Sequence, residues 1–186
     1  MKTKRINTVH EEQICLSCGF CCDGTLFHKA ILNRGEKENL PISIKKRYFQ
    51  ENDKEYFKLP CTYFNNLCTI YKEKKANVCS AFRCQLLKNY SQNKISQKEA
   101  FNIVNKAKII RQNLLDSYIE ITKEHKQNTF RGLLFFLGNH SKNKSDSKFD
   151  KTKIELLNIE CNIFESLLVK YFKSEKSFME LIENER

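Results

Sequence analysis

The sequence predicts a mainly α-helical protein: a small, irregular cysteine-cluster core with a few short strands at most, followed by a helical C-terminal half. Eight of the nine cysteines fall within residues 15–84, where the apolar runs are short and irregular. In the second half the apolar residues recur every three or four positions, which is the period of a helix with one buried face. We therefore expect a cysteine-cluster metal-binding domain over residues 1–94 and a helical region, packed on it, over residues 95–186.

The cysteine-rich segment has too little apolar area to fold by burial alone. Its apolar runs are only two to four residues long, as in Ala30-Ile31-Leu32 and Thr69-Ile70-Tyr71. Small domains of this kind are usually held together by bound metal. We therefore expect residues 15–84 to form a few short strands and to depend on metal for their fold.

The first long helix of the second half begins at a capping box, Ser96-Gln97-Lys98-Glu99. In this motif the Ser hydroxyl and the Glu carboxylate satisfy N–H groups of the first helical turn. The apolar residues that follow at helical spacing are Ala100, Ile103, Val104, Ala107, Ile110, Leu114, Tyr118 and Ile121.

Three shorter elements and a loop are predicted beyond it. The apolar helix Phe130–Leu137 is expected to end at Gly138, and the polar residues 139–151 predict a flexible loop. Thr152-Lys153-Ile154-Glu155 is similar to a second capping box, and a last short helix is expected over residues 175–183. The helix after this second box has an apolar face with near-heptad spacing: Ile154, Leu157, Cys161, Phe164, Leu168 and Tyr171.

No targeting or membrane segment is expected. The first eight residues lack the apolar stretch of a secretory signal, and Leu133–Leu137 is far shorter than the ~18 apolar residues that span a bilayer. We therefore expect a cytoplasmic protein with no membrane partner. In that reducing compartment a dense set of cysteines is more typical of metal binding than of disulfides, and the odd total of nine points the same way.

The formal net charge of +11 does not by itself indicate nucleic-acid binding. The lysines are scattered and no run of five like charges occurs, so they are better explained as a solvated basic surface. Eight ligating thiolates would also offset part of this charge. The sequence leaves a protein partner open and does not indicate nucleic acid.

The first cysteine run contains Cys15, Cys18, Cys21 and Cys22. Two-residue gaps let successive sulfurs face one metal ion or cluster, and Gly19 and Gly24 can take the positive φ angles that tight turns around a metal need. Neighbouring side chains diverge, so Cys21 and Cys22 are expected to reach two different metal centres. Four cysteines in this pattern are a strong signal of metal ligation.

The second group contains Cys61, Cys68, Cys79 and Cys84, whose wider spacings match no simple zinc finger. A hairpin-like turn at Asn65-Asn66 would bring Cys61 and Cys68 together. Cys79 and Cys84 are expected to flank one helical turn. These four cysteines could instead be small buried core residues, but next to the first run we interpret them as ligands.

These motifs resemble the YkgJ-like cysteine-cluster family. The resemblance covers about residues 15–84 and rests on Cys-x-x-Cys-Gly-x-Cys-Cys, on Cys68-Thr-Ile-Tyr71 and on Cys79-x-x-Phe-x-Cys84. Where the family often has Arg-Pro before its seventh cysteine, this chain has Lys75-Ala76. A more distant similarity is to bacterial flagellin lysine methylases. The resemblance implies zinc or iron chelation by eight cysteines but implies no reaction.

Sulfur-only sites suit both zinc and iron–sulfur clusters. The run Cys-x-x-Cys-x-x-Cys is shared with bacterial ferredoxins, so we slightly prefer an iron–sulfur cluster to zinc. His10 and His28 are expected at the surface and not as ligands. Cys161 lies on an apolar helix face and is expected in the core.

The function predicted from these features is metal binding through eight thiolates, in a redox or accessory enzyme. The alternatives are a zinc-structured module that docks a protein or nucleic acid, and a protein for metal storage or delivery. No Walker A, Gly-x-Gly-x-x-Gly, Gly-x-Ser-x-Gly or His-Glu-x-x-His motif is present, so the sequence identifies no catalytic residue.

Overall fold

The computed structural model describes residues 2–123, 129–142 and 149–173. Within this part of the chain the protein is mainly α-helical, with seven α-helices and a small three-stranded sheet, as the sequence predicts. The chain divides into two compact units, Met1–Gln97 and Lys98–Arg186. The helix expected over residues 175–183 lies outside the described residues.

The first unit alternates short helices and strands. In chain order its elements are α1 (Lys2–Cys18), β1 (Lys29–Leu32), a 3₁₀ turn (Glu36–Asn39), α2 (Ile42–Lys45), β2 (Tyr48–Glu51), β3 (Lys54–Lys58), β4 (Phe64–Asn65), β5 (Leu67–Cys68), α3 (Asn77–Ala81) and α4 (Gln85–Ser91). Strands β2 and β3 are joined by Asn52-Asp53, both at positive φ, as in a tight two-residue hairpin turn.

The three-stranded sheet covers a small apolar core. Its strands are antiparallel in the order β1-β3-β2, and Phe57 of β3 pairs with Ala30 on one side and with Tyr48 on the other. Since side chains at paired positions share a sheet face, these three residues point to the same side. The buried residues of this core are Leu32, Leu40, Ile44, Phe57, Ile70 and Ala76.

Helix α1 is not predicted by the sequence pattern. It lacks a run of apolar residues at helical spacing: Val9 is half exposed, whereas Ile14 is fully buried. A helix with so narrow an apolar face carries little of the periodicity from which helices are predicted. Helix α1 positions two of the candidate ligands, because Cys15 and Cys18 lie on its last turn.

The second unit contains three helices: α5 (Gln97–Thr122), α6 (Phe130–Lys142) and α7 (Lys151–Tyr171). The predicted apolar face of α5 is confirmed, with Val104 and Leu114 among its buried residues. Helices α6 and α7 contact through Phe130 and Phe164, whose rings meet edge to face at 5.0 Å. No helix in the described segments is long and apolar enough to cross a membrane.

Two boundaries of these helices were predicted wrongly. Helix α6 continues past Gly138 to Lys142, because Gly138 does not take the positive φ that would end the helix there. The predicted loop 139–151 is therefore helical at its start, and residues 143–148 lie outside the described segments. The cap of α7 is Asp150 and not Thr152: its carboxylate accepts hydrogen bonds from the backbone N–H groups of Thr152 and Lys153.

Candidate metal centre

The first cysteine run spans the end of α1 and the turn that follows it. Gly19 has φ +72° and donates its N–H to the carbonyl of Cys15 at 3.2 Å, so it ends the helix in the left-handed conformation that glycine favours. The carbonyl of Gly19 then accepts the N–H groups of Cys22 at 2.8 Å and of Asp23 at 2.9 Å. This turn fixes Cys21 and Cys22 directly beyond the helix.

Gly19 is also in close contact with the hairpin that carries Cys68. A Cβ added at Gly19 would overlap the ring of Phe64, which lies in β4. The absent side chain thus leaves room for Phe64 against the end of α1. Contacts between α1 and β5 extend the same packing.

The loop after Cys22 closes on itself. The Asp23 carboxylate accepts a 2.8 Å hydrogen bond from the N–H of Thr25, and both residues are buried. The N–H of Leu26 donates to the carbonyl of Phe20 at 2.9 Å, and both of these side chains are fully buried. A buried apolar layer therefore lies beside the first cysteine run.

The second group is joined to the first through the main chain. The N–H of Cys61 donates to the carbonyl of Cys22 at 2.7 Å. Strands β4 and β5 then pair Phe64 with Cys68 around Asn66, which has φ +58°. The turn expected at Asn65-Asn66 is confirmed, and it brings Cys68 back beside Cys61.

Cys79 and Cys84 do not flank one helical turn, which corrects that prediction. Cys79 lies inside α3, whose first N–H, that of Asn77, is bound by the Glu36 carboxylate at 2.5 Å. Cys84 lies after an extended residue, Phe82, and forms the N-cap of α4. The two thiols therefore belong to different helical elements, α3 (Asn77–Ala81) and the N-cap of α4 (Gln85–Ser91).

Side chains on α1 tie it to the segment around Cys84. The carboxylate of Glu11, which is 5% exposed, forms an ion pair with Arg83, the residue before Cys84. His10 Nδ1 lies 3.1 Å from the Tyr90 hydroxyl of α4, and His10 is half-buried. Sequence reasoning missed these partners because they lie far apart along the chain and neither pair forms a motif.

Four thiols near the end of α1 and the start of α4 interact electrostatically. Burial raises the pKa of Cys15 to about 11, with a further rise from the thiolates of Cys84 and Cys68. Burial also raises the pKa values of Cys18 and Cys21 well above their usual range. The nearby charges of Cys15 and Cys84 raise both pKa values further. Burial raises the pKa of Cys84 although backbone N–H groups at the start of α4 oppose the shift. We call Cys15, Cys18, Cys21 and Cys84 the inner set.

A second group of four thiols interacts in the same way. Burial is the main cause that raises the pKa of Cys22. That pKa is raised further by the nearby charges of Cys68, Cys79, Cys15 and Cys61. The pKa of Cys79 is raised to about 12, mainly by burial and then by the charges of Cys61 and Cys68. Burial also raises the pKa of Cys61. We call Cys22, Cys61, Cys68 and Cys79 the outer set.

The thiols of the two sets are free and are not drawn together around a point. None of the nine cysteines, all within the described residues, forms a disulfide, and Cys161 is fully buried in α7, as its place on the apolar face predicts. In the described residues no group of three or more Cys, His, Asp or Glu side chains is arranged so that it could hold a metal ion. Ligation therefore needs the sulfurs of each set to turn toward a common centre.

No family model, no curated protein and no solved structure matches this chain. The resemblance to the YkgJ-like family consequently stays a prediction that rests on the cysteine motifs alone.

Proposed function

We propose that the protein binds metal through the eight cysteines of its first unit, in two centres of four thiolates each. The inner set would hold one centre and the outer set the other. The observation that supports this proposal is the proximity of eight thiols from six separate elements and turns, each close enough to others for their charges to interact. Buried thiols that were merely core residues would have no reason to collect in this way.

The division into two sets follows from the backbone at Cys21 and Cys22. Consecutive side chains leave the chain in different directions, so one metal rarely takes both. Cys21 interacts chiefly with Cys18, Cys84 and Cys15, whereas Cys22 interacts chiefly with Cys68 and Cys79. This difference supports one ligand for each centre from this dipeptide.

The donor set fits a soft metal. Thiolates bind zinc and iron–sulfur clusters, whereas magnesium and calcium require oxygen ligands. The formal charge of +11 also favours a site that adds negative charge, since a zinc ion with four thiolates carries a net charge of about −2. We prefer iron–sulfur because of the ferredoxin-like spacing Cys15-x-x-Cys18-x-x-Cys21, and zinc is the alternative.

At the level of function, the proposal is a redox or accessory protein that uses the bound metal, working in the reducing cytoplasm. An iron–sulfur cluster would supply electron transfer or substrate activation. Zinc would favour the alternatives, which are a zinc-structured docking module and a protein for metal storage or delivery. No nucleic-acid partner is proposed, because the basic residues are spread along the chain.

Anaerobic purification with metal and sulfide analysis tests the proposal. We expect close to two zinc ions per chain, or up to eight irons with matching sulfide and a brown colour with charge-transfer absorption. The variants Cys21→Ser and Cys22→Ser should each lose one centre, and the matched control Cys161→Ala should lose none. Protein that binds less than one metal or cluster per chain after reconstitution would contradict the proposal.

A further inference from the structure

The three-stranded sheet has a second face, on the side opposite to the buried Phe57. Alternate residues of each strand lie on it, because successive side chains of a strand point to opposite sides. Ile31 is 47% exposed there and Lys58 is exposed as well. We call this surface the basic sheet face; its strand positions are Lys29, Ile31, Phe49, Glu51, Lys54, Tyr56 and Lys58.

A row of three cations crosses one end of the basic sheet face. Lys29 and Lys58 occupy directly facing positions on β1 and β3. Arg47 continues the row beside β2: its carbonyl accepts the N–H of Lys58 at 3.0 Å, and its Nε donates to the carbonyl of Lys58 at 3.0 Å. Like charges at facing positions destabilise a sheet, and a bound anion would relieve that repulsion.

A row of apolar side chains lies next to the cation row. Ile31, Tyr56 and Phe49 occupy facing positions on the three strands. The rings of Phe49 and Tyr56 are stacked, with their centroids 5.5 Å apart. Lys29 Nζ lies 5.9 Å and Lys58 Nζ 5.8 Å from the centroid of Phe49. Two ammonium groups from different strands therefore converge on one ring.

The basic sheet face has an excess of positive charge. Glu51 is the acidic residue among its strand positions, and it forms an ion pair with Lys29. This pair shows that a carboxylate fits beside the apolar row. The cations set against this one carboxylate are Lys29, Arg47, Lys54 and Lys58.

We infer that the basic sheet face binds an extended acidic segment of a partner protein. Its two rows are two residues apart along each strand, about 6.8 Å, which is also the distance between side chains i and i+2 of an extended peptide. A carboxylate of the segment meets Lys58 and Arg47 on the cation row. The apolar side chain two positions away from it covers Ile31 and the edges of the two rings.

Single-stranded nucleic acid is the competing ligand for a basic face that carries aromatic residues. Its bases require an accessible ring face. Phe49 and Tyr56 instead stack on each other, and Lys29 Nζ lies 4.5 Å from the Tyr56 centroid. These ring contacts favour a peptide. The inference uses no cysteine and is independent of the proposed metal binding.

Fluorescence anisotropy of labelled peptides with the full-length protein tests this inference. The probe Glu-Ser-Leu-Ser-Glu-Ser places its acidic and apolar side chains on one face when extended. The control Glu-Leu-Ser-Ser-Glu-Ser has the same composition but places Leu on the opposite face. We expect the probe to bind more tightly than the control and to weaken as salt screens the charges. A labelled single-stranded oligouridylate is titrated in parallel.

Two substitutions should shift the affinity for the probe in opposite directions. Lys58→Gln should weaken binding about twofold to fivefold, whereas Lys106→Gln, at an exposed position of α5, should have a smaller effect. Glu51→Gln should tighten binding by a similar factor, because it releases Lys29 for the ligand. Its control is Glu160→Gln, at an exposed position of α7. A purely structural role of these charges would not predict a gain in affinity.

Lysine acetylation of the unaltered protein gives a second measurement that does not depend on the folding of a variant. Peptide mass spectrometry should show slower acetylation of Lys29 and Lys58 when the probe is bound, and an unchanged rate at Lys106. Equal affinity for the two peptides, no protection of Lys29 and Lys58, or tighter binding of the oligouridylate than of the probe would each overturn the inference.

Discussion

Cys22 and Cys61, which belong to different cysteine groups in the sequence, are joined by a backbone hydrogen bond of 2.7 Å from the N–H of Cys61 to the carbonyl of Cys22. This bond joins the two cysteine motifs through the main chain. It fixes the start of the β4–β5 hairpin beside the turn at the end of α1. The arrangement leads to specific expectations for variants near this junction.

Gly19→Ala should weaken both the fold and metal binding. The residue has φ +72°, which costs a non-glycine residue about 1–2 kcal/mol, and the new methyl group would overlap the Phe64 ring. Gly35→Ala is a matched control because Gly35 has φ +73° with nothing within 4 Å. Urea unfolding of the metal-loaded variants compares the two. If both cost the same, Phe64 does not pack against this turn.

Arg83→Met should destabilise the first unit. It leaves the buried Glu11 carboxylate without its ion-pair partner, and an unpaired buried charge costs several kcal/mol, which the partial exposure of Arg83 reduces to about 1–3 kcal/mol. Lys29→Met removes the exposed pair with Glu51 and should have a much smaller effect. Chemical unfolding and metal stoichiometry report the result. Glu11→Gln in the Arg83→Met background should recover stability; if it does not, the loss has another cause.

Zinc affinity should rise with pH. Burial raises the pKa of Cys15 to about 11 and that of Cys79 to about 12, so the folded metal-free protein holds these thiols protonated and zinc must displace the protons. The raised pKa values stabilise the folded metal-free form relative to the unfolded chain. This contribution to the free energy of unfolding is complete below pH 9.0, the usual thiol pKa, and is lost as the pH rises through the raised values. Since metal removal is expected to unfold unit 1, competition titrations should show a zinc affinity that rises up to pH 9.0, the usual thiol pKa, and then levels off. An affinity that still increases above that pH would mean that metal-free unit 1 stays folded with these thiols protonated.

Metal removal should unfold the first unit selectively. Its core is small, and ordering each residue costs about 1–2 kcal/mol, whereas structural metal binding contributes on the order of 10 kcal/mol. Near-UV circular dichroism from Tyr56, Tyr63 and Tyr71 should be lost. Most far-UV helix signal should persist, because α5, α6 and α7 have buried faces of their own. Metal-stripped protein in which residues 15–84 still resist proteolysis would show that metal does not hold this unit together.

Cys161→Ala should separate stability from metal binding. The side chain is fully buried in α7 with its sulfur 4.0 Å from Glu165 Oε1, so truncation should cost about 1–2 kcal/mol. Metal content should be unchanged, as measured by elemental analysis of the purified variant. Loss of metal in proportion to that of Cys21→Ser would identify Cys161 as a ninth ligand.

The sequence carried most of the information about elements that repeat a local pattern. Helix α5 and the apolar face of α7 follow from their spacing, and the turn at Asn66 follows from the tolerance of asparagine for positive φ. Gly138 was misjudged because a glycine ends a helix only where the chain leaves it.

The sequence proposes candidate ligands but not their arrangement. The spacing of Cys15, Cys18 and Cys21 marks them as candidate ligands without reference to the fold. Their division between sets depends on the hairpin and on α4, which bring distant residues together. The Glu11–Arg83 ion pair was likewise not predictable, because no motif near either residue in the chain indicates its partner.

The Cys21-Cys22 dipeptide has a consequence for the cooperativity of metal loading. If the two sets bind metal as proposed, a metal in either set fixes one residue of this dipeptide, and the turn through the Gly19 carbonyl holds the backbone of its neighbour. The second set therefore begins with one ligand already in place, whichever set is filled first. We expect few half-loaded molecules at substoichiometric zinc, which native mass spectrometry can measure.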